Sequence, residues 1–107
     1  MDKANFKHIV ELKRKRLRDF YDASSDLHIS EKTNVAVIGI QASGGGSGHD
    51  MIYVISESND KVCENKVLDE YFSSGRMWPT GISEDGTKFF YTIKSNSGNI
   101  SHNEKEI

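Results

Sequence analysis

TNVAVIGIQASGGGSGHDMIYVISES, residues Thr33 to Ser58, decides the fold. Two runs rich in Val, Ile and Tyr flank nine residues loaded with Gly and Ser, the pattern of paired strands with a long connection. In the first run Val35, Val37 and Gly39 share one face and Ala36, Ile38 and Ile40 the other. Both faces are apolar, so this strand is expected in the middle of a sheet. In the second run Met51, Tyr53 and Ile55 alternate with Ile52, Val54 and Ser56, which suggests a slightly more exposed strand.

Working outward toward the N-terminus, Asp2 is placed to cap a helix reaching Tyr21 or Asp22. Phe6, Ile9, Val10, Leu17, Phe20 and Tyr21 fall on one helical stripe, with Lys13 inside it and Leu12 outside. Ser24 to Lys32 reads as a polar connection in which Leu27 and Ile29 tuck inward. Toward the C-terminus, Asp60 is expected to cap a second helix over Lys61 to Ser73, closed by Gly75, with Val67, Leu68, Tyr71 and Phe72 as its apolar face. RMWPTGIS-EDG-TKFFYTIKS then reads as a second hairpin turning at Glu84-Asp85-Gly86, with Pro79 indicating an edge strand. The expected architecture is α+β in the order αββαββ, a four-stranded, mainly antiparallel sheet with two helices packed on it. One domain over residues 1–95 and a flexible tail over 96–107 complete that expectation.

Seven Lys or Arg against four Asp or Glu in residues 1–23 make the first helix basic, while the remainder carries seven against twelve. Lys13, Arg14, Lys15, Arg16 and Arg18 form the densest positive run. Carboxylates at i,i+4 spacing (Lys7–Glu11, Glu11–Lys15, Lys15–Asp19, Arg18–Asp22) favour a solvated, ion-paired face over a nucleic-acid or protein grip. The single cysteine, Cys63, excludes an intramolecular disulfide and fits a reducing compartment. No apolar run approaches the ~20 residues of a membrane span, and no charged-then-apolar leader is seen. The expected location is the cytoplasm, the host's if the protein is phage-encoded.

No stretch carries a specific catalytic or metal-binding signature, and the expectation is a protein without enzymatic activity, metal or cofactor. His8, His28, His49 and His102 fall at no ligand spacing. Ser47, His49 and Asp50 are the residue types of an acyl-transfer triad, but sequence neighbours do not relay a proton along a line. Gly44, Gly45, Gly46, Ser47, Gly48, His49 and Asp50 invite a phosphate cradle, yet the loop leads into a strand rather than a helix N-terminus. A mobile hairpin tip is the plainer reading, with a partner-binding tip next and a small-ligand or nucleotide site after it. Arg76, Met77 and Trp78 are residue types enriched at protein contacts, the competing reading being that Trp78 fills the core. Glu57, Asp60, Glu64, Asp69 and Glu70 are expected as an acidic complement to that contact.

One family resemblance spans the second half of the chain. Tyr53-Val54-Ile55-Ser56-Glu57-Ser58, the segment ending near Phe72 and Gly75, Trp78, and Thr92-Ile93-Lys94-Ser95 together resemble small phage-encoded inhibitors of Cas9, the anti-CRISPR proteins. The resemblance implies a short, cofactor-free protein that covers another protein's functional surface. The leading functional expectation is therefore a protein-binding inhibitor or immunity protein acting on a nuclease or defence protein. Small-ligand binding through Gly44 to Asp50 and nucleic-acid binding through the basic helix are the alternatives.

Overall fold

The computed structural model describes residues 1–44 and 47–107. Among the described residues are one helix, α1 (Lys3–Tyr21), and seven strands: β1 (Ser24–Ile29), β2 (Val35–Gly44), β3 (Ser47–Ser58), β4 (Lys61–Phe72), β5 (Arg76–Ile82), β6 (Lys88–Lys94) and β7 (Ile100–Glu106). The strands form two antiparallel sheets in the orders β1-β2-β3-β4 and β5-β6-β7. The expected αββαββ arrangement, two helices on a single four-stranded sheet, is therefore wrong.

β2 and β3 are the central strands, as their two-sided apolar pattern requires. Ala36, Ile38, Ile40, Met51, Tyr53 and Ile55 pack against Phe6, Val10 and Leu17 of α1 on one side. Val37, Ile52 and Val54 pack against Met77 and Phe89 of the second sheet on the other. The layers thus run helix, four-stranded sheet, three-stranded sheet. β3 is as buried as β2 from Asp50 to Ile55, not more exposed. Asp2 caps α1 as expected, its side chain accepting from the Asn5 N–H at 2.8 Å. Leu12 lies outside the buried stripe, but so does Phe20, which the stripe had placed in the core.

The segment expected as a second helix is β4. Asn59 and Asp60 both have positive φ, 53° and 62°, and join Ser58 to Lys61 in a two-residue hairpin turn, so Asp60 is a turn residue and not a helix cap. A bulge shifts the register opposite Ile52/Tyr53, and both Val67 and Leu68 pack toward the second sheet. That extra residue re-phases the two-residue alternation, so Val67, Leu68, Tyr71 and Phe72 acquire a spacing that mimics a helical face. β1 escaped notice because it is polar and at the sheet edge, although Leu27 and Ile29 do pack on the helix-side core. Ile100–Glu106, within the stretch expected to be a flexible tail, pairs along β6.

The glycine-rich connection also proves shorter than it reads. Gln41 pairs with Asp50, Ala42 with His49, Ser43 with Gly48 and Gly44 with Ser47, so the ladder extends through most of the nine residues. Gly45 and Gly46, part of the proposed cradle, lie outside the described residues. The second hairpin forms as expected, with Gly86 at φ 72° in its turn and Pro79 on an edge strand. At Gly39 the two sheets approach so closely that a Cβ would collide with the Pro79 ring. Glycine inside a central strand is here a packing requirement.

Candidate protein-binding surface

The C-terminal turn of α1 and the open ends of β3 and β4 meet on one side of the first sheet. Asp22 ends the helix in the left-handed conformation (φ 49°), its N–H reaching the Arg18 and Asp19 carbonyls, which fixes where Phe20 and Tyr21 project. Antiparallel pairing of β3 with β4 puts His49 opposite Tyr71 and Met51 opposite Asp69. The result is a continuous aromatic strip. Phe20 stands edge-on to Tyr21 at 4.8 Å between ring centroids, and Tyr21 stands edge-on to His49 at 6.1 Å. His49 stacks on Tyr71 at 4.0 Å and 12°.

The two ends of this strip are open to water: Phe20 is 79% exposed and Tyr71 73%. Its inner members are anchored. The Tyr21 and Tyr53 hydroxyls lie 3.2 Å apart. Burial, with the Tyr21 contact second, pushes the Tyr53 hydroxyl well above the ordinary tyrosine range, so it stays protonated. His49 Nε2 lies 2.5 Å from Asp69 Oδ1, and Lys66 Nζ lies 2.6 Å from Asp69 Oδ2. Hydrogen bonding to Lys66, followed by that to His49, holds the Asp69 carboxyl below the usual carboxylate range. A histidine–carboxylate pair is thus present, but on the open face of a sheet, with Asp69 shared between two donors.

Most residues singled out from the sequence lie elsewhere or serve the fold. Arg76 and Met77 bind Asp50 of β3: Arg76 donates Nε to Oδ2 at 3.1 Å and Nη2 to Oδ1 at 2.8 Å, and the Met77 N–H donates to Oδ2 at 2.8 Å. Met77 and Asp50 are buried between the sheets. Trp78, the next residue, is half-buried on the outward face of the second sheet, paired with Thr92, whose hydroxyl meets His102 Nδ1 at 3.0 Å. The three named as one cluster therefore divide, two holding the sheets together and one facing out.

The acidic residues divide as well. Glu64 receives Lys13 at 3.6 Å and Arg16 at 2.7 Å, docking the basic helix onto β4. Glu57 and Asp60 hold the Met1 ammonium at 3.6 and 3.0 Å, and Asn34 bonds Glu57 at 2.7 Å. Glu70 is exposed beside the buried Asp50, on the opposite face from Asp69. Among the spaced helix pairs, Lys15 and Asp19 close at 3.0 Å, while Arg14 turns to Ser25 and Glu11, and Arg18 to Asp19. Cys63 is exposed on β4.

Of the glycine-rich stretch, Gly44, Ser47 and Gly48 line an open recess of about 380 Å³ together with Ser43, Arg76 and Ser73 to Gly75. The three consecutive N–H groups of Ser73, Ser74 and Gly75 that could bind an anion there all donate to Asn96 Oδ1, at 3.0 to 3.1 Å. Among the described residues, no group of three His, Cys, Asp or Glu side chains is arranged to hold a metal, and no helix is long and apolar enough to cross a membrane.

From the sequence Phe20, Tyr21 and Tyr71 read as core-facing, the first two on the α1 stripe and Tyr71 on the expected second helix, and none as part of a surface. The signal existed: once β4 is a strand, Tyr71 falls opposite His49 and beside the end of α1. No family model, curated protein or solved structure matches this chain.

Proposed function

We propose that this protein works by binding and covering the functional surface of another protein, as an inhibitor or immunity protein directed at a nuclease or defence protein. The observation that supports this reading is the aromatic strip, whose terminal rings, Phe20 and Tyr71, are left largely in water. Burying one such side chain is worth about 1.5–3 kcal/mol, and rings held rigid by edge and stacking contacts lose little entropy on contact. Aromatic anchors of this kind carry most of the energy in protein interfaces. Nucleic acid is the weaker partner, because Lys13, Arg14, Lys15, Arg16 and Arg18 are each engaged with a carboxylate of this chain.

The test is capture of a nuclease or defence protein by the immobilised chain, followed by assay of that protein's activity. Capture with inhibition, both lost when Phe20→Ser and Tyr71→Ser are combined, is the expected result. Undiminished affinity in the double variant, or no protein retained after stringent washing, would sink the proposal.

A further inference from the structure

Next to the strip, Ala42, Ser43, Gly44, Ser47, His49 and Tyr71 line an open recess of about 200 Å³. Its position follows from the β2–β3 ladder: Ala42 pairs with His49, and His49 with Tyr71, so three adjacent strands present their side chains to one spot. On one side stand the two stacked rings; on the other, among the described residues, are Ala42, Ser43, Gly44 and Ser47, all small.

We infer that this recess is an anchor pocket for a single uncharged ring side chain, Phe, Tyr or Trp, presented by the protein partner. The inference rests on the protein-binding reading above and names the chemistry of the contact. Size is the first reason: the recess is smaller than the roughly 300–1,000 Å³ of sites that enclose a cofactor or metabolite. Charge is the second. Asp69, the carboxylate beside the rings, already receives His49 and Lys66, so an incoming ammonium or guanidinium is left with a weak, solvent-exposed cation–π contact to Tyr71. Among the described lining residues no cationic side chain waits for an incoming carboxylate, and the Ser47 hydroxyl already donates to the Gly44 carbonyl at 3.2 Å. A neutral ring instead extends the His49–Tyr71 stack, and Phe20 and Tyr21 continue the contact outside the recess.

The experiment is titration of the full chain with N-acetyl-tryptophanamide, N-acetyl-leucinamide and N-acetyl-argininamide, followed by amide NMR shifts. The tryptophan amide is expected to give saturable shifts centred on Ala42, Ser43, Ser47, His49 and Tyr71, with leucine and arginine weaker. Tyr71→Ala should weaken tryptophan amide binding about three- to tenfold, while Tyr71→Phe retains it. Equal shifts from arginine amide, shifts centred instead on Trp78, or no saturable shift would overturn the assignment. Probe binding needs no partner, so the two ideas fail separately. A partner lost on Phe20→Ser and Tyr71→Ser without probe binding removes the pocket alone; probe binding with no protein captured removes the inhibitor reading alone.

Discussion

Asp50 of the first sheet and Arg76 of the second are joined by a two-pronged ion pair, at 2.8 and 3.1 Å, with the carboxylate completely buried. The two ends are unequal, because Arg76 keeps about a third of its side chain in water. Removing the arginine strands a buried charge; removing the carboxylate lets the guanidinium turn outward. Arg76→Leu is therefore expected to cost about 3–5 kcal/mol and Asp50→Asn about 1–3 kcal/mol. Urea unfolding of the two variants checks this, and equal, small losses would show that the pair does not hold the sheets together.

Phe20 and Tyr71 predict the opposite behaviour. Since both rings lie largely in solvent and each makes one aromatic contact, Phe20→Ser and Tyr71→Ser should each cost no more than about 0.5–1.5 kcal/mol of stability. Thermal unfolding measures it. A loss of several kcal/mol in either variant would mean that the ring packs inward.

The bulge at Val67 carries its own prediction. Deleting Val67 removes the extra residue, so Lys66 opposite Tyr53 runs directly on to Leu68 opposite Ile52, and the pairing on both sides of the bulge keeps its register and its faces. The deletion should therefore keep the His49–Tyr71 contact, read from unchanged His49 ring proton shifts, and cost little more stability than Val67→Ala, since both lose the Val67 side chain from the inter-sheet cluster. Ring shifts that move as though Tyr71 had left His49 would refute the register described for β4.

Acid should destabilise the fold through Asp69 and Asp85. Both carboxyls are held below the ordinary range, Asp69 chiefly by the Lys66 hydrogen bond and Asp85 chiefly by that of Thr87, with Ser83 next. For a depressed carboxylate the unfolded chain takes up the proton first. Its stabilisation is thus complete above the unfolded value, about pH 4, and is lost as pH falls through the folded value. Asp69→Asn and Asp85→Asn should each flatten the decline in stability below about pH 4. A slope unchanged from the wild type in urea unfolding across that range would rule out these contributions.

How much was legible can be stated element by element. Helix α1, the β2–β3 and β5–β6 hairpins and the Gly86 turn were legible because cap, alternation and turn chemistry lie within a few residues of one another. β4 was misread because one extra residue gave a strand the spacing of a helix, and that error hid the aromatic strip, since Tyr71 meets His49 only across a β-ladder. Arg76 was rightly noticed as unusual but assigned outward, when its partner Asp50 lies twenty-six positions earlier and inside.

The sequence alone determined the buried centre: β2 carries apolar side chains on both faces, and such a strand is stable only with a layer packed on each. Which layers those would be was decided in three dimensions. Ser73 to Gly75, tied to Asn96, lead β5 away from β4 into a second sheet, and Pro79 seats against Gly39, contacts made between distant residues that no local pattern encodes. The same long-range packing brought Phe20, Tyr21, His49 and Tyr71 side by side, because proximity at a surface depends on strand register and helix placement, not on nearness along the chain.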